Sequence, residues 1–481
     1  MLRHIVPAAA WICGLVACLN ATSWAFITPP FQVVDEQAHF AYVKQLAETG
    51  TLPSPQGHFS EEEEIALEAL RFEQVRQNPE NPAIFSRAQQ RALTEDLRAA
   101  ARAPGRGSPG AAVATSEPPL YYALESIPYD LAPGGTLLDR LQLMRLFSAL
   151  MAGGTAIFTF LFLREALPRT RWAWTVGALG VALSPLLGFI SGGVTPDAML
   201  CAVSAALFFC IARAFRRGLT GGSAVALGLA IAVGFLTKLT FVGLAPGAFL
   251  ALGILARRAA RGSTWRAMSA PAAAAAIGGL PIVAFAVRNA FARRATFGAL
   301  SGAIATTQGS ILAIANYIWQ LYLPRLPWTH EYFPGLSTTR QIWFDGYIGR
   351  FGWLDTFFPA WVYMAALIVA VALAVLCART LFARRVSVRR RAPELASYAI
   401  MTLGMLVLVG TASYQWLPTQ LADYGQARYL LPMLPLLAAA MALAARGAGR
   451  RWGPTTGALI VLLCLAHDLF SQLQVVARYY G

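Results

Sequence analysis

Lysine is almost missing from this chain: Lys44 and Lys238 stand alone among 39 basic residues in 481, so arginine carries nearly all the positive charge. Charge of either sign is scarce, at 13% of residues against 57% hydrophobic, and the mean hydropathy is +0.52. A water-soluble core of this length cannot hide so much apolar surface, which excludes an ordinary globule and requires a bilayer. Cysteine is sparse as well. All six (Cys13, Cys18, Cys201, Cys210, Cys377, Cys464) lie inside apolar runs with no CxxC pair, so neither a disulfide framework nor structural zinc is expected. No internal repeat is evident. The formal charge of +15 would suit nucleic acid, but the arginines sit in short clusters between apolar runs, and no nucleic-acid partner is expected.

What the sequence has in abundance is hydrocarbon. Runs near 5–27, 142–163, 171–191, 198–215, 222–237, 240–256, 267–288, 358–378, 394–414, 428–445 and 455–473 approach the length that crosses about 30 Å. They predict an all-α polytopic membrane protein with about eleven transmembrane helices. Arg3 and the apolar stretch after it resemble a secretory signal, but an uncleaved first span is expected because the best motif follows it directly. Arg164/Arg169/Arg171, Arg213/Arg216/Arg217, Arg257/Arg258/Arg261/Arg266, Arg379 through Arg391 and Arg446/Arg450/Arg451 fall between alternate spans, which places them on the cytoplasmic side of a bacterial inner membrane. The run 307–323 breaks that alternation and is expected to be re-entrant or interfacial. Arg293 and Arg294 then face outward, as stray charge or as headgroup contacts.

Five segments follow. They are a first span (1–27), a large extracytoplasmic loop with juxtamembrane helices (28–141), spans two to seven (142–288), a second outer segment rich in Trp, Tyr and Pro (289–357), and spans eight to eleven (358–481). Within the first loop, 35–49 and 60–77 are predicted helices, the former stopping at Gly50, and the Ala/Gly/Pro-rich stretch 99–114 breaks the loop. Glu61 to Glu64 is expected to be a solvated helix start.

This topology brings polar residues to one face. Asp35, Glu36 and His39 follow span one, Glu117, Tyr121 and Tyr122 lie in the first loop, and Arg145 opens span two. Asp197 sits in the turn before span four, Lys238 ends span five, Arg288 ends span seven, and Gln426, Arg428 and Tyr429 open span eleven. Carboxylates beside several cations suit a site that deprotonates a nucleophile and stabilises an anionic leaving group. Each cation alone is equally readable as a snorkelling anchor. Lysine at 238, in so arginine-rich a chain, suits a point-charge contact to phosphate. Asp35 and His39, four apart, share a helical face that would suit a divalent cation such as Mg or Mn, although two ligands do not make a metal site.

The segment PPFQVVDEQAHFAYVKQLAETGTLP after span one resembles the first extracytoplasmic loop of the C-type (GT-C) glycosyltransferase superfamily. More narrowly, PPFQVVDEQAHF (29–40), SEPPLYYAL (116–124), SGGVTPDAML (191–200), LTKLT (236–240), GRFGWLDTFFP (349–359) and GQARYLLPMLP (425–435) are similar to the bacterial domain-of-unknown-function family numbered 2142. That family's usual acidic-Pro pair reads DEQ here, and it carries no activity to transfer. The superfamily resemblance implies an inverting transfer from a polyprenyl-phosphate-linked sugar donor to a glycan, lipid or protein acceptor on the outer face, in cell-envelope polysaccharide biosynthesis. It implies Asp35 as catalytic base, with Glu36 as neighbouring candidate and Asp197 as a further acid. Lys238, Arg288, Arg428 and Arg145 would hold the donor phosphate, and His39, Glu117, Tyr121, Tyr122, Gln426 and Tyr429 would contact substrate. Trp328, Tyr332, Trp343 and Trp353 suit sugar stacking or an interfacial belt.

A transporter or flippase of lipid-linked glycans would need charge at mid-span and discontinuous helices, and the sequence displays neither. An O-antigen ligase or polymerase usually carries its large loop late in the chain, whereas here the larger outer segment comes first. A non-catalytic scaffold would leave Asp35 free to vary.

Overall fold

Each expected apolar run becomes helix in the computed structural model, which describes residues 6–54, 57–83, 86–100, 114–132, 134–260, 265–291, 310–333, 339–415 and 425–481. Eight helices are long and apolar enough to cross a membrane: Ala8–Ile27, Leu137–Ala166, Pro196–Arg217, Met268–Phe291, Ala360–Ala383, Ala392–Gln415, Ala427–Gly447 and Gly449–Tyr480. A ninth is broken, with Arg171–Ala182 and Pro185–Ser191 meeting at 55°. Proline at 185 has no N–H and drives Ser184 into an extended conformation, which ends one helix while the Ser184 hydroxyl caps the next. The last two expected spans are Gly221–Thr237 and Ala245–Ala260, of 17 and 16 residues, joined by the 3-10 turn Leu239–Gly243.

Leu137–Ala166 forms the hub, packing on Ala8–Ile27, Arg171–Ala182 and Pro196–Arg217. Small residues let these backbones approach: a Cβ on Gly153 would meet the Gly14 carbonyl oxygen at 3.0 Å. The first helix is integral to the bundle, with Trp24, Ala21 and Cys13 fully buried. Within it, Trp24 and Asn20 donate to Asp468 of the 449–480 helix, each at 3.2 Å, and Asn20 also donates to the Ala182 carbonyl left free at the helix break. Gln472 completes the set by donating to the other Asp468 oxygen at 2.9 Å. A carboxylate inside a span and a discontinuous helix are both features that the sequence reading did not find.

Polar groups divide between the two ends of the bundle. At one end, buried Glu165 gathers Arg213, Arg216 and Arg217 at 3.6, 2.9 and 2.6 Å, and Arg391 pairs with Glu394 at 2.7 Å. The opposite end carries the first loop and every candidate site residue. There the Glu36–Thr49 helix stops at Gly50, whose φ of +67° only glycine adopts freely. The expected helix 60–77 is two pieces, Glu61–Ala69 and Phe72–Val75, parted by Arg71 in the left-handed region. Its acidic start is not a solvated run: Glu63 closes a capping box with Ser60, and Glu62 is buried against Lys44 at 2.7 Å.

The C-terminal helix clasps this loop. Arg478 donates to the carbonyls of Val75, Asn78 and Asn81 and to Asp355, and Ala83 donates to the Tyr479 carbonyl. Helix Ile311–Tyr322, with 12 residues, rises about 18 Å and is too short to cross; it packs on Ala392–Gln415. Arg293, Arg294 and most of 99–114 lie outside the described residues.

Candidate active site

Glu36 and Arg145 are the most constrained pair at this end. The Glu36 carboxylate has no exposure and accepts four hydrogen bonds: two from Arg145 at 2.8 and 2.5 Å, one from Phe31 N–H at 2.9 Å and one from Val194 N–H at 3.0 Å. Arg145 spends its remaining donors on the carbonyls of Ala25, Thr28 and Pro29. All five guanidinium N–H groups are therefore taken, which leaves none for a phosphate. Glu36 likewise has no open face toward a substrate. Both were expected at the reacting centre, and their geometry instead makes them the brace that ties the end of span one, the start of span two and the 191–197 turn together. Glycine at 193 permits this, because a Cβ there would meet Val33 at 2.7 Å.

Asp35 differs from its neighbour in every respect. It precedes the helix in the left-handed region, φ +67°, and its side chain caps nothing. A residue that rarely adopts this conformation is held in it by the brace next door. The side chain keeps 23% exposure, and Oδ2 accepts from Arg428 at 2.6 Å. Burial alone would push the carboxyl up, but the Arg428 guanidinium, with the Lys238 ammonium nearby, holds it below the usual carboxylate range. Asp35 is thus an ionised carboxylate at neutral pH, with Arg428 on one of its two oxygens.

Around it the remaining predicted residues converge. His39 lies one turn on, buried, with Nδ1 3.0 Å from the Tyr122 hydroxyl, and burial plus the Lys238 charge push the imidazole down to about 3, so it is neutral. Tyr122 stacks on Tyr42 at 3.6 Å between ring centres. Asp197 is buried in the first turn of its helix against Lys238 Nζ at 2.8 Å. Glu117 accepts from Leu239 N–H at 2.9 Å, and burial holds its carboxyl up despite Lys238. Tyr429 lies beside the Arg428 guanidinium, 5.2 Å from the ring centre.

The Lys238–Asp197 pair makes a prediction. Lys238→Met is expected to cost about 3–5 kcal/mol by stranding Asp197, and adding Asp197→Asn should recover most of the loss in a double-mutant cycle read by thermal unfolding. Additive losses would show that the pair is not coupled.

Other predicted residues lie at the margin of this cluster or in the scaffold, Tyr121 edge-on to Tyr122 at 5.4 Å. Arg288 is exposed near the end of Trp265–Phe291. The Trp353 indole donates to Phe31 carbonyl at 3.2 Å and that of Trp343 to Leu321 carbonyl at 2.7 Å, so both are tied into the scaffold, whereas Trp328 is 79% exposed. Tyr121 is fully buried and bonded to Ser148 at 2.9 Å.

Sequence reading missed Glu125 altogether. It lies one turn beyond Tyr121, fully buried, and accepts from Ser148 at 2.7 Å, and burial raises its carboxyl to about 8. The folded form therefore keeps a proton that the unfolded chain releases above the ordinary glutamate value of 4.5, so this group erodes stability as pH rises from there through about 8. The slope is at most about 1.4 kcal/mol per pH unit. Glu125→Gln should flatten the fall in unfolding temperature over that window; an unchanged profile would place the titration elsewhere.

Among the described residues no group of three His, Cys, Asp or Glu side chains has the geometry to hold a metal ion. Asp35 and His39 are engaged with Arg428 and Tyr122 instead.

No curated protein matches this sequence significantly. Among solved structures, the Archaeoglobus fulgidus oligosaccharyltransferase in its apo form aligns over 98% of this chain at 13% identity with a TM-score of 0.45. The same archaeal enzyme tethered to an acceptor peptide containing the NVT sequon aligns over 98% at 14% identity and a TM-score of 0.42. This chain spans 56% and 55% of those two chains. Residues 18–437 match the model of the family described as predicted membrane protein (DUF2142), and the chain belongs to that family.

Proposed function

We propose that the protein is an inverting glycosyltransferase that moves a sugar from a polyprenyl-phosphate-linked donor to an acceptor hydroxyl on the extracytoplasmic face of the inner membrane, with Asp35 as base. The observation that carries this reading is the contrast between adjacent acids: Glu36 is sealed, whereas Asp35 is ionised, partly open and flanked by the buried cations Arg428 and Lys238. The motif resemblance ranks Asp35 first, and the geometry supplies a physical reason.

The acceptor hydroxyl gives its proton to Asp35 as its oxygen attacks the anomeric carbon. The carbon–phosphate oxygen bond breaks on the opposite side, and the phosphate leaves toward Arg428 and Lys238, whose charge stabilises it. Neutral His39 and the Tyr42–Tyr122 stack exclude water from the attacking side. A transporter reading draws on the broken helix and Asp468, but one Asp468 oxygen is held by Asn20 and Trp24 of the first helix and the other by Gln472 of its own helix, which fits a brace better than a moving ion site.

Purified protein in lipid vesicles, given a polyprenyl-phosphate sugar and candidate acceptors, is expected to yield a glycoside of inverted anomeric configuration. A retained configuration, or lipid movement across the vesicle without a new glycosidic bond, would reject the mechanism.

A further inference from the structure

A small cavity opens beside Val34 and Arg428, the chain neighbour and the ion-pair partner of Asp35. It is lined by Val34, Arg350, Leu354, Gln426 and Arg428 together with the glycine backbone at 352 and 425. The space within it is about 20 Å³, room for one or two water-sized groups.

Its polar walls are incompletely matched. Arg428 is 4% exposed, and although its terminal nitrogens serve Val34 and Asp35, its Nε–H is buried with no acceptor. The Gln426 side-chain oxygen is likewise buried with no donor. Arg350 stacks on Phe357, its cross-strand partner, at 5.1 Å, and among the described residues no carboxylate pairs with it. Buried polar atoms without partners are rare in native proteins and ask for a ligand or water that completes them.

The backbone agrees. Leu354, in the cavity wall, has φ +66°, and Asp35, next to Val34, has φ +67°. Among the described residues, two of the five non-glycine residues in the left-handed region thus flank one small cavity, and such conformations persist where the surroundings hold a site in a fixed shape.

We propose that this cavity is an acceptor subsite for an anionic, hydroxyl-bearing group. The cavity takes only the tip of that ligand: one oxygen of the anion meets Arg350 and the Nε–H of Arg428, a hydroxyl gives its hydrogen to the Gln426 oxygen, and the rest of the ligand lies outside. An acidic sugar and a polyol phosphate share that chemistry. The word acceptor rests on the glycosyl-transfer reading, whereas the binding site does not depend on it. Its position next to Asp35 then explains how an acceptor hydroxyl reaches that carboxylate: the anion is fixed one residue away.

The test is equilibrium binding to purified full-length protein in nanodiscs without donor, using glucuronate, glycerol phosphate, glucose and inorganic phosphate as probes. Glucuronate or glycerol phosphate should bind at least tenfold more tightly than either glucose or inorganic phosphate, and which of the two binds identifies the source of the anion. Arg350→Gln should erase that preference tenfold or more, and Arg350→Lys should keep part of it. Gln426→Ala should reduce the winning probe to the affinity of inorganic phosphate, which keeps the idea testable if Arg350→Gln does not fold. Equal binding of glucose, equal binding of inorganic phosphate, or an unaffected preference in both variants would overturn the site. Sugar transfer with no probe binding would overturn it while leaving the transferase reading standing. Probe binding by the wild-type protein, with no sugar transferred to any acceptor tried, would keep the site and reject the transferase.

Discussion

Asp35→Asn protein is expected to fold and to bind donor, yet to transfer sugar about 10²–10⁴-fold more slowly, the usual contribution of a positioned general base. Asparagine matches aspartate in shape and can still accept from Arg428, so the side chain stays where it is while its proton affinity disappears. In the proposed mechanism Asp35 meets the reacting hydroxyl and the cations meet the phosphate, so the change is expected to fall on kcat. Steady-state transfer assays with donor titration measure both quantities together. An unchanged rate would remove Asp35 from the chemistry, and a raised KM at constant kcat would make it a binding residue.

Arg145→Met has the largest expected effect on folding. It strands the fully buried Glu36 carboxylate, whose other two donors are backbone N–H groups, and frees three carbonyls at the end of the first span. Breaking a buried pair in this way costs about 3–5 kcal/mol. Arg145→Lys should rescue little, since one ammonium with three hydrogens cannot serve five acceptors. Thermal unfolding in detergent reads the loss, and Arg145→Met/Glu36→Gln should regain part of it. A single variant as stable as the parent would show that the brace contributes nothing. The opposite signatures of Asp35 and its neighbour, rate against stability, separate residues that differ by one position.

How far the sequence foretold this follows from the range of each force. Apolar runs are local, so every expected span appears as a helix, and the arginine clusters sort the two ends because charge between spans is local too. The convergence of Asp35, His39, Asp197, Lys238 and Arg428 was legible once the ends were sorted. The Glu36–Arg145 pairing was not, because Glu36 and Arg145 stand 109 positions apart, and no spacing rule reveals which acid an arginine will meet. Asp468 sat unnoticed in an apolar run for the same reason: its partners Asn20 and Trp24 lie near the other end of the chain. Glu125 offered only its neighbourhood to Tyr121. The break at Ser184-Pro185 did have a signal, the proline itself, although prolines inside Trp265–Phe291 leave that helix continuous.

The clasp of Arg478 and Tyr479 on the first loop has a consequence in time. Those two residues leave the ribosome after the helices that precede them, yet the Val75, Asn78 and Asn81 carbonyls and the Ala83 N–H that they hold are made about 400 residues earlier. The loop that presents Asp35 emerges early and waits, unfastened, through the synthesis of the whole bundle. A chain whose synthesis has not reached Arg478 thus lacks this fastening, and activity should appear only once Arg478 and Tyr479 are in place rather than accumulate span by span.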